Sequence, residues 1–229
     1  MKTIGMIGGM SFESTITYYR EINEGIKEIC GGFHSAKCLL YSVDFEEIEV
    51  CQEKGEWKKA GDILTKAAQA LEKGGADFIM ICTNTMHKVV PQIQSEINVP
   101  ILHIAEATAQ VVLQDGIDRI ALLGTRYTME QDFYRAKFEE AGIQVMIPEA
   151  NDREIINQVI FYELCLGNIR QESKAEFIRI VESLAKEGAG AVVLGCTEIG
   201  LLIKEEDCSI PVYDTTILHA RAAVELALN

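Results

Sequence analysis

Two stretches of this chain are near copies of one another: GADFIMICTNTMH at residues 75–87 and GAGAVVLGCTEIG at residues 188–200. Each reads as a short, unbroken apolar strand running into a polar turn, as expected of a strand covered on both faces. Around them, apolar runs alternate with longer segments of helical period, the pattern of βα units on a mostly parallel sheet. Strands are expected at 3–7, 37–43, 77–82, 101–103, 119–123, 144–147, 191–195 and 212–213, and helices at 12–29, 56–73, 106–114, 129–140, 153–166 and 173–187. Gly74, Gly116, Gly142, Gly167 and Gly188 follow helical runs, where a left-handed residue would end each helix.

Aligning Gly75 with Gly188 is an offset of 113, and it sets Thr83, not Cys82, opposite Cys196. IGMIGG from Ile4 matches IALLGT from Ile120, Tyr19-Arg20 matches Tyr134-Arg135, and Val99-Pro100 matches Ile210-Pro211, with offsets of 116, 115 and 111. An internal duplication follows. The chain should form two α/β lobes of about four strands each, one from residues 1–99 plus 209–229 and the other from 100–208, with ligands taken at the carboxyl ends of the strands.

The chain has 229 residues, 48% of them hydrophobic and 24% charged, which suits a globular protein. A formal net charge of −14 argues against nucleic acid, whose binding rests on Lys and Arg. The start, MKTIGMIGGMS, is not a signal peptide, and no apolar run approaches the ~18 residues of a membrane span. Seven cysteines without any C-x-x-C indicate free thiols in a reducing cytoplasm. His34, His87, His103 and His219 lack metal-ligand spacing, and Gly5, Gly8 and Gly9 do not make G-x-G-x-x-G. Neither a metal nor a dinucleotide is expected, and the glycines read as places where backbone approaches a small ligand.

Thr83-Asn84-Thr85 and Cys196-Thr197-Glu198 each follow a strand. Free N–H groups at a helix start would cradle a carboxylate there, and the same position would lower a thiol pKa from about 8.5 toward neutrality. Cys82 falls on the opposite face of its strand and is expected to pack against a helix. Helix capping is the competing role for Thr83 and Thr197.

The segments IGMIGGMSFEST, GGFHSA, SVDF, CTNTMH, LLGTRYTM, LGCTEIGLL and PVYDTTILHA, in this order, resemble the aspartate/glutamate racemase superfamily along nearly the whole chain. The subgroup most similar has Thr in the first catalytic position. The resemblance implies two pseudo-twofold related α/β lobes, a cofactor-free active site between them, a small amino-acid substrate and a homodimer. It implies two thiols flanking the substrate α-carbon. The first position is here Thr83, a departure, and the second is Cys196. Met10, Gln52, Asn84, Thr85, Thr125, Thr197 and Glu198 match positions expected to hold the amino acid. A Thr hydroxyl is a poor base, so racemisation should be lopsided. Two other readings remain: a decarboxylase or isomerase using Cys196 alone, and an amino-acid-binding protein whose catalytic pair has decayed.

Overall fold

The computed structural model describes residues 1–229. In chain order the elements are β1 (Ile4–Gly8), α1 (Phe12–Cys30), β2 (Cys38–Ser42), α2 (Phe45–Glu53), α3 (Trp57–Lys73), β3 (Phe78–Ile81), a 3-10 turn (Thr85–Val89), α4 (Val90–Gln94), β4 (Ile101–Leu102) and α5 (Ile104–Gln114). They continue as β5 (Arg119–Gly124), α6 (Arg126–Glu130), α7 (Asp132–Glu140), β6 (Gln144–Met146), α8 (Ala150–Tyr162), α9 (Gln171–Lys186), β7 (Ala191–Gly195), α10 (Ile199–Leu202), β8 (Val212–Asp214) and α11 (Thr215–Leu228). Two short 3-10 turns, Leu164–Leu166 and Glu205–Asp207, complete the chain.

The strands form two all-parallel sheets, ordered β2-β1-β3-β4 and β6-β5-β7-β8. The second order is the first repeated four strands later, which establishes the duplicated α/β architecture. Register carries the repeat to single residues. Ile4 pairs with Phe78 and Ile120 with Ala191, offsets of 116 and 113. Ile79 pairs with Ile101 and Val192 with Val212, which adds the offset of 111. Continuing two residues past Ile81 and Leu194 makes Thr83 the counterpart of Cys196. The helical echo needs a shift by one: Tyr18 and Tyr134 are both buried and lie 116 apart, whereas Tyr19 is exposed.

Contacts within the fold assign Met1–Ile104 and His219–Asn229 to the first lobe and Ala105–Leu218 to the second. The boundaries therefore fall at 104/105 and 218/219, later than the 99/100 and 208/209 expected. Pairing is the cause, since β4 adds to the first sheet and β8 to the second.

Apolar alternation builds the cores. In β3, Ile79 and Ile81 face a cluster with Leu64, Ala67 and Ala68 of α3, while Phe78 and Met80 face Tyr18, Ile22 and Ile26 of α1 and Ala220 and Val224 of α11. Helix α1 starts at Ser11, whose hydroxyl accepts the Ser14 N–H at 3.3 Å, and buries Ser14, Thr15, Tyr18, Ile22 and Ile26 at helical spacing. In the second sheet, Val192 and Leu194 pack against Phe177, Ile180 and Val181 of α9 and Ile156 and Ile160 of α8.

Four helices, α2, α4, α10 and α11, lie outside the expected set. Helix α2 is started by Asp44, whose carboxylate accepts the Glu46 N–H, and α11 by Asp214, whose Oδ1 accepts the Thr216 and Ile217 N–H groups. The expected helix at 129–140 is broken at Gln131, which is extended at φ −100° and ψ 146°. Gly74 is right-handed at φ −73°, and the left-handed turn falls one residue later, on Gly75 at φ 95°.

Candidate active site

The turn after β3 is built by a switch in hydrogen-bond pattern. The backbone from Asn84 onward winds as a 3-10 turn, so the His87 N–H goes to the Asn84 carbonyl at 3.1 Å. That leaves the Thr83 carbonyl without a helical N–H, and the His87 imidazole takes it, with Nδ1 2.8 Å away. Thr83 itself is half-buried, and none of the chain's side-chain hydrogen bonds engages its hydroxyl. Neither Thr83 nor Thr197 starts a helix: Asn84 and Glu198 occupy those positions.

Asn84 and Thr85 are buried. Met10 packs in the same apolar cluster as Met86 and Cys51, and the Gln52 amide Nε2 lies 3.2 Å from the Met86 sulfur. Met10 and Gln52 thus converge on Met86, the residue that follows Asn84 and Thr85 in the chain. Cys82 is fully buried in the cluster against α1 and α11, and burial pushes its thiol far up. Gly8 and Gly9 serve the protein's own backbone rather than open space. A Cβ on Gly8 would meet the Thr15 side chain, and one on Gly9 the Val43 carbonyl, while the Gly9 N–H donates to Thr15 Oγ1 at 2.9 Å.

In the second lobe, Gly124 and Gly195 are paired residues at the ends of β5 and β7, so the next residues, Thr125 and Cys196, lie at the same edge. Thr125 starts α6, its Oγ1 3.4 Å from the Thr128 N–H and 3.2 Å from the Thr128 hydroxyl. Cys196 is 7% exposed and donates its S–H to Glu198 Oε2 at 3.1 Å. The Thr197 hydroxyl donates to the same oxygen at 2.7 Å. Thiol, hydroxyl and carboxylate thus form one cluster on consecutive residues.

The expected lowering of the Cys196 pKa is overturned. Burial first, and then the Glu198 charge, hold the thiol well above its ordinary value. Helix α10 spans only Ile199–Leu202 and begins at a carboxylate, so the one backbone group that favours the thiolate, the Glu198 N–H, is outweighed by burial and by the Glu198 charge. The resting group is a neutral thiol hydrogen-bonded to an anion, and its thiolate, once formed, is a strong base.

Sequence reading missed His87. The ring accepts the Ile104 N–H at Nε2, 3.2 Å away, and lies 4.6 Å from the His103 ring. The spacing of four residues from Thr83 was the available signal. His219 is buried, with Nδ1 3.0 Å from the Tyr18 hydroxyl and Nε2 2.9 Å from the Leu102 carbonyl, a satisfied core histidine.

Two parallel four-stranded α/β lobes, with a thiol and a hydroxyl at equivalent strand ends, define a duplicated α/β protein with paired polar turns. The model of the Asp/Glu/Hydantoin racemase family matches residues 7–223, and the chain belongs to that family. A solved chain from Yersinia pestis is 52% identical, covers 100% of both chains and superposes with a TM-score of 0.93. The structure of an aspartate racemase homologue from Pyrococcus horikoshii OT3 is 39% identical over 100% of both chains, with a TM-score of 0.86. The broad specificity amino-acid racemase RacX of Bacillus subtilis (strain 168) is 25% identical over 98% of each chain. No helix is long and apolar enough to cross a membrane.

Proposed function

We propose that the chain is a cofactor-independent amino-acid racemase of the aspartate/glutamate type, with Cys196 and Thr83 serving opposite faces of the substrate α-carbon. The observation that carries this reading is the register equivalence of Thr83 and Cys196 in two copies of one fold. Family membership and relatives named as amino-acid racemases supply the reaction class. In this reaction the Cys196 S–H first passes its proton to Glu198, to which it is already hydrogen-bonded. The thiolate then removes the α-proton, and the high thiol pKa favours that transfer. The carbanion is held by donors at the strand ends, Asn84, Thr85, Thr125 and Thr197. The Thr83 hydroxyl delivers a proton to the other face and is reprotonated from solvent, while Glu198 releases to solvent the proton it took from the thiol, which restores the resting site. Glu198 thus moves from substrate holder to partner of the thiol.

A single-thiol decarboxylase or isomerase is the second reading, favoured by the hydroxyl where a first thiol is expected. A screen of α-hydrogen exchange in heavy water across the common amino acids, read by NMR, separates the two. Exchange accompanied by inversion of an acidic amino acid is expected. Exchange without inversion, or product of another mass, supports the single-thiol reading. Tight amino-acid binding with no exchange would instead point to a binding protein.

We also propose a cytoplasmic homodimer. Its support is that the seven cysteines are thiols rather than disulfides, together with an exposed apolar stripe on α1, where Phe12, Ile16 and Tyr19 are 62%, 59% and 53% exposed at helical spacing. Light scattering should give twice the chain mass for the native protein and a smaller species for Ile16→Glu. A monomeric native protein removes the proposal.

A further inference from the structure

We infer that His87 is a positioning residue for Thr83: its imidazole replaces a missing backbone donor and clamps the peptide joining Thr83 to Asn84. The inference rests on the racemase reading above.

The hydrogen bonds fix the ring's state. A carbonyl only accepts, so Nδ1 carries the proton that goes to the Thr83 oxygen. An amide N–H only donates, so Nε2 is the bare nitrogen that receives Ile104. Both contacts require the neutral ring with hydrogen on Nδ1. Protonation would set N–H against N–H at Ile104, and burial, with the His103 ring beside it, favours the neutral form against the Thr83, Asn84 and Leu102 backbone groups that pull the other way.

The same ring spans two parts of the first lobe. Ile104 is the last residue before the chain passes to the second lobe, and it opens α5, one residue beyond the end of β4 at Leu102. His87 therefore ties the Thr83 turn to the end of β4, while its own N–H holds the Asn84 carbonyl. Two consecutive carbonyls of the turn are thereby held by one residue. In a trans peptide the carbonyl and the following N–H point in opposite directions. Holding the Thr83 oxygen consequently aims the Asn84 N–H away from His87 and sets the backbone from which the Thr83 hydroxyl is presented. Proton delivery depends on such placement, since misplacement by about 1 Å can cost on the order of 10²-fold.

Two variants divide the ring's functions. In His87→Asn the amide nitrogen takes the place of Nδ1 and keeps the Thr83 bond while losing Ile104. In His87→Gln the amide oxygen takes the place of Nε2 and keeps Ile104 while losing Thr83. Both should be tested in heavy water for α-hydrogen exchange and inversion of the better enantiomer. His87→Gln should lose about tenfold or more in inversion while exchange through Cys196 stays within about twofold. His87→Asn should retain an exchange-to-inversion ratio near that of the native protein. Equal ratios in native protein and His87→Gln, or the same change in both variants, would overturn the inference. Native protein without exchange would instead remove the racemase reading. Nitrogen NMR of the native protein gives a measurement independent of activity and of variant folding: the His87 ring should be neutral with hydrogen on Nδ1, and hydrogen on Nε2 would overturn the assignment.

Discussion

At the scale of the residue, the two buried thiols have opposite expected roles despite similar burial. Cys82 is enclosed by aliphatic and aromatic side chains, whereas Cys196 donates to a carboxylate. Cys196→Ser should lower turnover by at least ~10²-fold, the size of a lost general base, with folding retained. Cys82→Ser should cost about 1–3 kcal/mol of stability through a buried hydroxyl, with turnover per folded molecule kept. A well-folded Cys82→Ser protein with equally severe catalytic loss would reverse the assignment. Glu198→Gln separates charge from hydrogen bonding. Removing the anion removes a cause that raises the Cys196 pKa, so alkylation of Cys196, followed by peptide mass spectrometry, should set in at lower pH. Turnover should nevertheless fall, because the proton acceptor is lost. An unchanged or higher alkylation midpoint would show that Glu198 does not govern the thiol.

At the scale of the element, the turn after α3 shows what a side chain can test. Gly75 has φ 95° and open space where a Cβ would stand, so Gly75→Ala should cost about 1–2 kcal/mol in backbone conformation alone. Gly74 is right-handed, and its Cβ would press chiefly on the Leu39 Cδ1 end of a flexible side chain, so Gly74→Ala should cost less. Urea unfolding of both variants checks the order, and a reversed order would mean that the left-handed position is Gly74. All eight strands were legible because apolar runs bounded by polar turns are unambiguous when they repeat. Helix α11 was less legible. Its sequence after Asp214 is apolar on most sides, and only packing of Ala220, Ala223 and Val224 against α1 and the first sheet defines its buried face. The Thr83–Cys196 equivalence could be read from the Gly75–Gly188 alignment, but the Glu198 contact to the thiol could not. It depends on a side-chain path across two residues, and the expected helix effect on Cys196 failed because α10 is one short turn led by that carboxylate. The His87 contact was only half visible: the four-residue spacing from Thr83 puts the two on one side of a helical turn, but it does not announce the 3-10 winding that frees the Thr83 carbonyl for the ring.

At the scale of the whole molecule, duplication supplies two equivalent strand ends and divergence makes them chemically unequal. The histidines of the first lobe carry a consequence for stability. Burial pushes the His219 pKa down to about 3 and that of His87 well below its ordinary value of 6.5. The unfolded chain binds protons on both near pH 6.5 while the folded chain does not. The stability they contribute is complete above that pH and declines as pH falls toward the folded values, by about 1.4 kcal/mol per pH unit for each ring. The urea midpoint should drop steadily from pH 7 to pH 5, and a flat midpoint would contradict their burial as neutral groups. The central claim is that Cys196 takes protons well and Thr83 mainly returns them. The most direct measurement follows α-hydrogen exchange and inversion of each enantiomer of aspartate and glutamate in heavy water, with native protein and Thr83→Cys side by side. One enantiomer, taken here as the L form by resemblance to the wider family, should exchange faster than it inverts in the native protein, its mirror image should react poorly, and Thr83→Cys should raise activity on the poor one. Equal exchange of both enantiomers by the native protein, or a Thr83→Cys protein still confined to one, would contradict the account.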